Sequence, residues 1–272
     1  MAIVHQVIPV GVFQANCNIL ADETSKTAVV IDPGDEPRRI LEVVRDLGVR
    51  VTHLLHTHCH LDHITGTREV REETGASILI HSKDRFLYEG LKAQYASAAR
   101  LFGIDLGEGE ETLPNDGTLK EGGTIPLGQS TIKVIHTPGH TPGSCSFLLD
   151  APDGPRLFTG DTLFAGSVGG TRHAFDDLRR SVMDVLMGLP HDMKVFPGHT
   201  EETTIGWEWE NNSFVRVWRG VDPEGEERCH VEGADATLVV WSPDYDGGGK
   251  GWVRFPDGRD AIVGGSRIER AR

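Results

Sequence analysis

The sequence has no closely spaced cysteine pair. Its four cysteines, Cys17, Cys59, Cys145 and Cys229, lie far apart and none falls in a Cys-x-x-Cys arrangement. Cys17 and Cys145 are therefore expected as buried small hydrophobes, and Cys229 has no assigned role. No stretch approaches the roughly 18 apolar residues of a membrane helix, so no membrane partner is expected. The opening Met1-Ala2-Ile3-Val4-His5 lacks the basic and apolar regions of a secretory signal, which makes cytoplasm the expected compartment. No Gly-x-Ser-x-Gly elbow occurs, so a serine-triad hydrolase of that type is not expected. Positive charge is in deficit: 27 Lys and Arg face 41 Asp and Glu, a net charge of -14. That balance counts against broad affinity for nucleic acid. Internal repeats and low-complexity segments are absent too. The remainder, 38% hydrophobic and 25% charged over 272 residues, suits a soluble enzyme with a substantial core. It could form one large domain or a domain with an appendage.

What is present is dense in imidazole. Thr57-His58-Cys59-His60-Leu61-Asp62-His63 follows the apolar residues 51–55 and packs three histidines and an aspartate into six residues. Such a set is costly to fold unless something binds it, and it suits zinc, iron or manganese. Alternation along an extended segment sends His58 and His60 to one side and Cys59 to the other. Asp62 and His63, at the start of the next turn, can face a second position. One metal could use half of this set; two would use all of it. Further metal-capable side chains recur downstream, each after a strand-like run and beside a glycine-containing turn: His140 in Thr137-Pro138-Gly139-His140, Asp161 in Thr159-Gly160-Asp161-Thr162, and His199 in Pro197-Gly198-His199. Glycine allows the close backbone approach that such ligand loops need. A rigid sheet whose strand ends empty into loops is a standard way to hold a reactive site.

These residues carry a resemblance. Together with Phe13-Gln14-Ala15-Asn16-Cys17, Ile31-Asp32-Pro33-Gly34, Gly66, Gly160-Asp161-Thr162-Leu163-Phe164-Ala165-Gly166 and Glu202-Thr203-Thr204-Ile205-Gly206, the chain resembles the metallo-β-lactamase-fold hydrolases. Within them it is similar to the hydroxyacylglutathione hydrolase (glyoxalase II)-like branch, over residues 3–219. The resemblance implies an α/β (α+β) fold, a four-layer αβ/βα sandwich, with a binuclear metal site. By position, His58, His60 and His140 would hold one metal. Asp62, His63 and His199 would hold the other, and Asp161 would bridge them. The implied cofactors are two divalent transition-metal ions, zinc first, with iron or manganese compatible. Asp62 and Asp161 are the implied catalytic residues. The implied reaction is hydrolysis of a small-molecule acyl substrate, foremost a hydroxyacyl-glutathione-type thioester, by a metal-bridged hydroxide. Alternatives are a mononuclear iron persulfide dioxygenase using His58, His140 and Asp161, a lactonase or phosphodiesterase, and, outside catalysis, a metal-binding interaction module. Asp161 stands where many true β-lactamases carry cysteine, which disfavours antibiotic hydrolysis.

Between the ligand loops, residues 35–47 and 177–189 carry helical periodicity, with Asp35 the expected N-cap and Gly48 the stop of the first. A third helix is expected over 84–102. The resembled fold places that region over the metals, making Tyr88 or Tyr95 a candidate pocket residue beside an ordinary core role. His56 and His136 are read as structural histidines with a secondary option of supporting ligands. Gly169-Gly170-Thr171-Arg172-His173 departs from the family's usual pattern, so Arg172 and His173 are candidate substrate contacts. The expected catalytic domain is 1–219. Residues 220–272 are expected as an acidic linker and a small β-meander with strands at 236–241, 251–255 and 260–263, turning at Asp246-Gly247-Gly248-Gly249 and Pro256-Asp257-Gly258. This appendage is expected to pack on the core or on a second copy in a homodimer, and to leave the chemistry alone.

Overall fold

A computed structural model describes residues 3–103, 106–245 and 247–270, so Met1, Ala2 and Asp246 of the expected turn lie outside the described residues. The chain divides into two compact units, residues 1–136 with 142–158, and residues 137–141 with 159–272. Both mix strands with helices. Among the described residues no helix is long and apolar enough to cross a membrane.

The first unit is built on a six-stranded sheet in the order Ile3–Val10, Ala15–Asp22, Thr27–Ile31, Arg50–Leu55, Ser77–His81, Gly117–Leu119. The first three strands pair antiparallel and the rest pair parallel. Strand Ala15–Asp22 is buried at every residue, the polar Asn16, Asn18 and Asp22 included. Strands Thr27–Ile31, Arg50–Leu55 and Ser77–His81 run the same way, so their carboxyl ends share one edge. In open α/β sheets that edge is where ligands bind. An antiparallel run of Thr124–Leu127, Ser130–His136, Cys145–Asp150 and residues 156–158 completes the unit.

Local chemistry corrects two sequence expectations here. Helix Pro37–Leu47 is capped by Glu36, not Asp35; Glu36 takes a left-handed conformation and Pro37 opens the helix with its φ already set. Gly48 ends it as expected, at φ 62°. The helix expected over 84–102 is broken into Arg85–Glu89 and Leu91–Phe102. The break is at Gly90, whose N–H donates to the Phe86 and Leu87 carbonyls, and the Gln94 side chain also donates to the Leu87 carbonyl, at 2.9 Å. Tyr88 sits in the first segment at 2% exposure, within the apolar core that also holds Ile64, Val70 and Ile78.

The second unit contains helix Phe175–Arg180, which continues as a π-helical turn over Ser181–Leu186. The wider turn shifts the side-chain register, so Leu178, Val182 and Leu186 are buried while Val185 faces outward. Strands Lys194–Pro197 and Thr203–Thr204 pair as a hairpin, followed by helices Ile205–Asn211 and Ser213–Trp218. Asn212 caps the last helix by accepting from Phe214 N and Val215 N. After Gly220 comes a five-stranded antiparallel sheet in the order Asp260–Gly264, Gly249–Arg254, Ala234–Pro243, Glu227–Val231, Ile268–Arg270. Two of these strands, Glu227–Val231 and Ile268–Arg270, were not expected. They complete a separate small core of Cys229, Val231, Leu238, Val253, Val263 and Ile268, which gives Cys229 its place.

Candidate metal centre

Each unit gathers one set of potential ligands. In the first, the chain leaves strand Arg50–Leu55 and passes through His58 and His60 into the short helix Leu61–Ile64, which carries Asp62 and His63. His58 Nε2 lies 3.1 Å from His60 Nδ1. The His58 and His63 rings are 4.2 Å apart, and His63 Nε2 is 3.6 Å from Asp62 Oδ2. His58 and His63 are buried, while His60 and Asp62 are half-buried. Cys59 turns away into the apolar core, where burial pushes its thiol pKa up.

This loop is held from three sides. Asp32, just past strand Thr27–Ile31, is 1% exposed and accepts from Thr57 N at 2.7 Å and Thr57 Oγ1 at 2.6 Å. Its Oδ2 also lies 3.0 Å from His63 Nδ1. With that ring nitrogen donating, His63 Nε2 is left as a lone pair suited to a metal. Asp84 accepts from Cys59 N at 3.1 Å and from Gly143 N at 2.7 Å. Gln94 donates to Cys59 O and accepts from Leu61 N. Gly34 permits the tight approach: a Cβ there would fall 1.8 Å from the Asp62 carbonyl oxygen. Against Asp62 lies a cavity of about 150 Å³, whose lining includes Val12, Phe13, Leu61, Tyr95 and Leu106.

In the second unit the set is His140, Asp161 and His199. Asp161 Oδ2 stands 3.5 Å from His140 Nε2 and 3.6 Å from His199 Nε2, so one carboxylate oxygen serves two imidazoles. His140 Nδ1 lies 2.8 Å from the Gly170 carbonyl, an acceptor only, which assigns the proton to Nδ1 and leaves Nε2 as the lone pair. A Cβ at Gly169 would fall 1.8 Å from Asp161 O and 3.2 Å from His140 Cβ. Only glycine lets that backbone pass.

The donor set fits a metal. Ligands about 2.0–2.1 Å from a tetrahedral ion stand about 3.3 Å from one another. The spacing from His58 to His60, 3.1 Å, and those about Asp161, 3.5 and 3.6 Å, bracket that value. Five imidazoles with two carboxylates match zinc, iron or manganese in chemistry.

The profile of the Metallo-beta-lactamase superfamily matches residues 10–199. The chain belongs to that superfamily. It is similar to the hydroxyacylglutathione hydrolase GloC of Haemophilus influenzae, 35% identical over 214 residues that cover 77% of this chain and 97% of the relative. Among solved structures it is similar to the BLEG-1 B3 metallo-beta-lactamase, with a TM-score of 0.69 and 30% identity over 78% of this chain and 99% of the other. TTHA1623, solved in a di-iron-bound form, gives a TM-score of 0.63 and 34% identity over 77% and 99%. The chain is thus a metallo-hydrolase of the superfamily, with the superfamily's mixed α/β fold, and its His and Asp sets support binding of divalent metal.

In this metallo-hydrolase the expected substrate contacts fare differently from the ligands. Arg172 spends its guanidinium on Glu232, at 2.9 and 2.6 Å, so it pins the C-terminal sheet instead of presenting a free fork to substrate. His173 is exposed beside it. Tyr88 is a core residue, its phenol pKa pushed up by burial; Tyr95 is the tyrosine that lines the cavity. His56 is buried and its pKa is held down to about 4 by desolvation, the state of a neutral structural histidine. Sequence reasoning gave no role to Asp32, Asp84 or Tyr245. Only Asp32 carried a signal, an acid and Pro-Gly directly after a strand.

Proposed function

We propose that the chain hydrolyses small acyl thioesters of the hydroxyacyl-glutathione type at a centre of two metal ions. The ligand groupings this reading uses are His58, His60 and His140, and Asp62, His63 and His199; Asp161, which groups with His58 and His63, is read as the ligand shared between them. The observation that carries it is Asp161 Oδ2 facing two imidazole nitrogens at nearly equal distances, as a bridging carboxylate would. The similarity to a hydroxyacylglutathione hydrolase and to a protein that binds two irons supports the same reading. Bound divalent ions supply Lewis acidity toward an acyl oxygen and bring a water molecule's pKa toward neutrality.

The chain's own residues then have separable tasks. Asp32 and the Gly170 carbonyl fix the tautomers of His63 and His140 and hold their Nε2 atoms as acceptors. Asp62, at the wall of the cavity, would help orient the attacking water by accepting a hydrogen bond from it while also serving as a ligand. Val12, Phe13 and Leu106 place apolar side chains along part of the cavity, where a short acyl chain would pack.

The test is thiol release from a panel of S-acyl thioesters, with S-lactoylglutathione among them, by zinc-, iron- and manganese-loaded protein. Saturable hydrolysis of short-chain thioesters is expected. Inert thioesters together with persulfide-dependent oxygen uptake would overturn the reading in favour of a dioxygenase.

A further inference from the structure

The C-terminal sheet contacts His199 of the second unit's ligand set directly and reaches His140 through the intervening Gly170-Thr171 main chain. The first route is Tyr245, in the turn between strands Ala234–Pro243 and Gly249–Arg254. Its ring lies flat on the His199 imidazole, with centroids 4.0 Å apart and planes 6° from parallel. The second route is main chain. His140 Nδ1 bonds the Gly170 carbonyl, and the next residue, Thr171, exchanges two hydrogen bonds with Ile262 of strand Asp260–Gly264, at 2.8 and 2.7 Å. Arg172 follows with its bidentate pair to Glu232, which Arg267 also engages at 2.6 Å.

We propose that this sheet is a positioning element of the metal centre, with Tyr245 the positioning residue for His199. The inference rests on the metal-centre reading above and deepens it. The family profile ends at residue 199, so the sheet lies beyond the part of the chain that the superfamily defines.

The turn is built to hold one ring in one place. Phe164 meets the His199 ring edge-on at 5.9 Å and the Tyr245 ring edge-on at the same distance. Lys250 Nζ sits 4.5 Å above the Phe164 ring and 5.6 Å from that of Tyr245. It pairs with Asp244 at 3.1 Å, both side chains 6% exposed. A buried ion pair next to Tyr245 fixes register more than it adds stability, because any slip of the turn strands two charges. Ser242 Oγ donates to Gly166 O at 2.9 Å, tying the turn to the loop after Asp161. Against this clamp, rotation of the His199 ring out of its plane requires displacing the phenol. Tyr245 keeps 41% of its surface exposed, so its ring covers the imidazole face without sealing the site. The expectation that residues after 220 leave the chemistry alone is therefore replaced by one in which they set the aim of two ligands.

The experiment uses full-length protein stripped of metal, with Tyr245→Ala, Tyr245→Phe and Tyr245→Leu compared to wild type. Zinc affinity is read by competition with a chromophoric chelator, and ligand geometry by the visible absorption of the cobalt-loaded protein. Tyr245→Ala is expected to weaken the second metal equivalent about 10- to 100-fold, the usual effect of losing a residue that orients a ligand, and to shift the cobalt bands. Tyr245→Phe keeps the stacked ring and is expected to restore both to within about threefold of wild type. Should Tyr245→Ala fail to fold by circular dichroism, Tyr245→Leu, which keeps bulk without a flat face, is expected to show the same metal defect. Wild-type affinity and spectrum in a folded Ala or Leu variant would overturn this inference alone. A wild type that binds no metal would overturn the metal-centre reading first, and this inference with it.

Discussion

Replacing Asp32 by asparagine separates the fold of the ligand loop from its protonation state. The carboxylate is buried and accepts from Thr57 N, Thr57 Oγ1 and His63 Nδ1 at 2.7, 2.6 and 3.0 Å. An amide of the same shape keeps one acceptor, which can still serve Thr57 N. At the other position its NH2 group faces the Thr57 hydroxyl, which can turn to accept, and His63 Nδ1, which can accept only by giving up its proton. The imidazole proton then moves to Nε2, and a protonated Nε2 cannot ligate a metal. Each hydrogen bond to a charged group is worth about 1 kcal/mol more than a neutral one, so three such exchanges cost about 3 kcal/mol at most. Loss of the orienting partner should cost 10- to 100-fold in metal affinity, about 1.4 to 2.7 kcal/mol. Urea denaturation of the apoprotein reads the first quantity and chelator competition reads the second. A variant that is less stable but binds metal with wild-type affinity would refute the tautomer argument and leave Asp32 a purely structural residue.

Gly169→Ala places a methyl group 1.8 Å from Asp161 O, so backbone must move at the ligand itself. A stability loss of about 1–3 kcal/mol in urea and at least a tenfold drop in hydrolysis are expected, and an unchanged kcat would contradict the packing seen there. Tyr88→Phe removes a buried hydroxyl that has no hydrogen-bond partner among the described residues, so stability should hold or rise by about 1 kcal/mol with KM unchanged. A KM increase beyond about threefold would return Tyr88 to the substrate pocket. Glu232, between Arg172 and Arg267, has its pKa pulled down from 4.5 to about 2 by their hydrogen bonds. A depressed carboxylate stabilises above its unfolded pKa and loses that contribution as pH falls through the folded one. Melting temperatures of wild type and Glu232→Gln should therefore differ at pH 7 and converge between pH 4.5 and 2. The gap should be small, since Glu232 is half exposed.

The candidate ligands stood out because metal chemistry imposes residue types on short loops. His58, His60, Asp62 and His63 are near neighbours in sequence, and His140, Asp161 and His199 each follow a strand and adjoin a glycine. What packs against those residues was not legible, because it arrives from distant segments: Asp32 reaches His63 across 31 residues, and Tyr245 reaches His199 only through tertiary packing. Strand Glu227–Val231 was obscured by the acidic residues before it, although Cys229 and Val231 alternate inward against Arg228 and His230 outward. Strand Ile268–Arg270 is too short to show a period. Arg172 was correctly singled out as unusual, but its partner Glu232 lies 60 residues on, so a substrate role and a structural pin looked alike. The helix break at Gly90 shows the opposite case, in which a local glycine was in view and the periodicity around it was followed too far.

The proposed function requires two metal ions that share Asp161. The most direct measurement is metal content per chain by elemental analysis of fully loaded protein, for wild type and His199→Ala, with thioester turnover recorded on the same samples. Two ions are expected in wild type, with loss of the second equivalent in His199→Ala and turnover that falls with it. A single ion in wild type, with His199→Ala fully active, would contradict it.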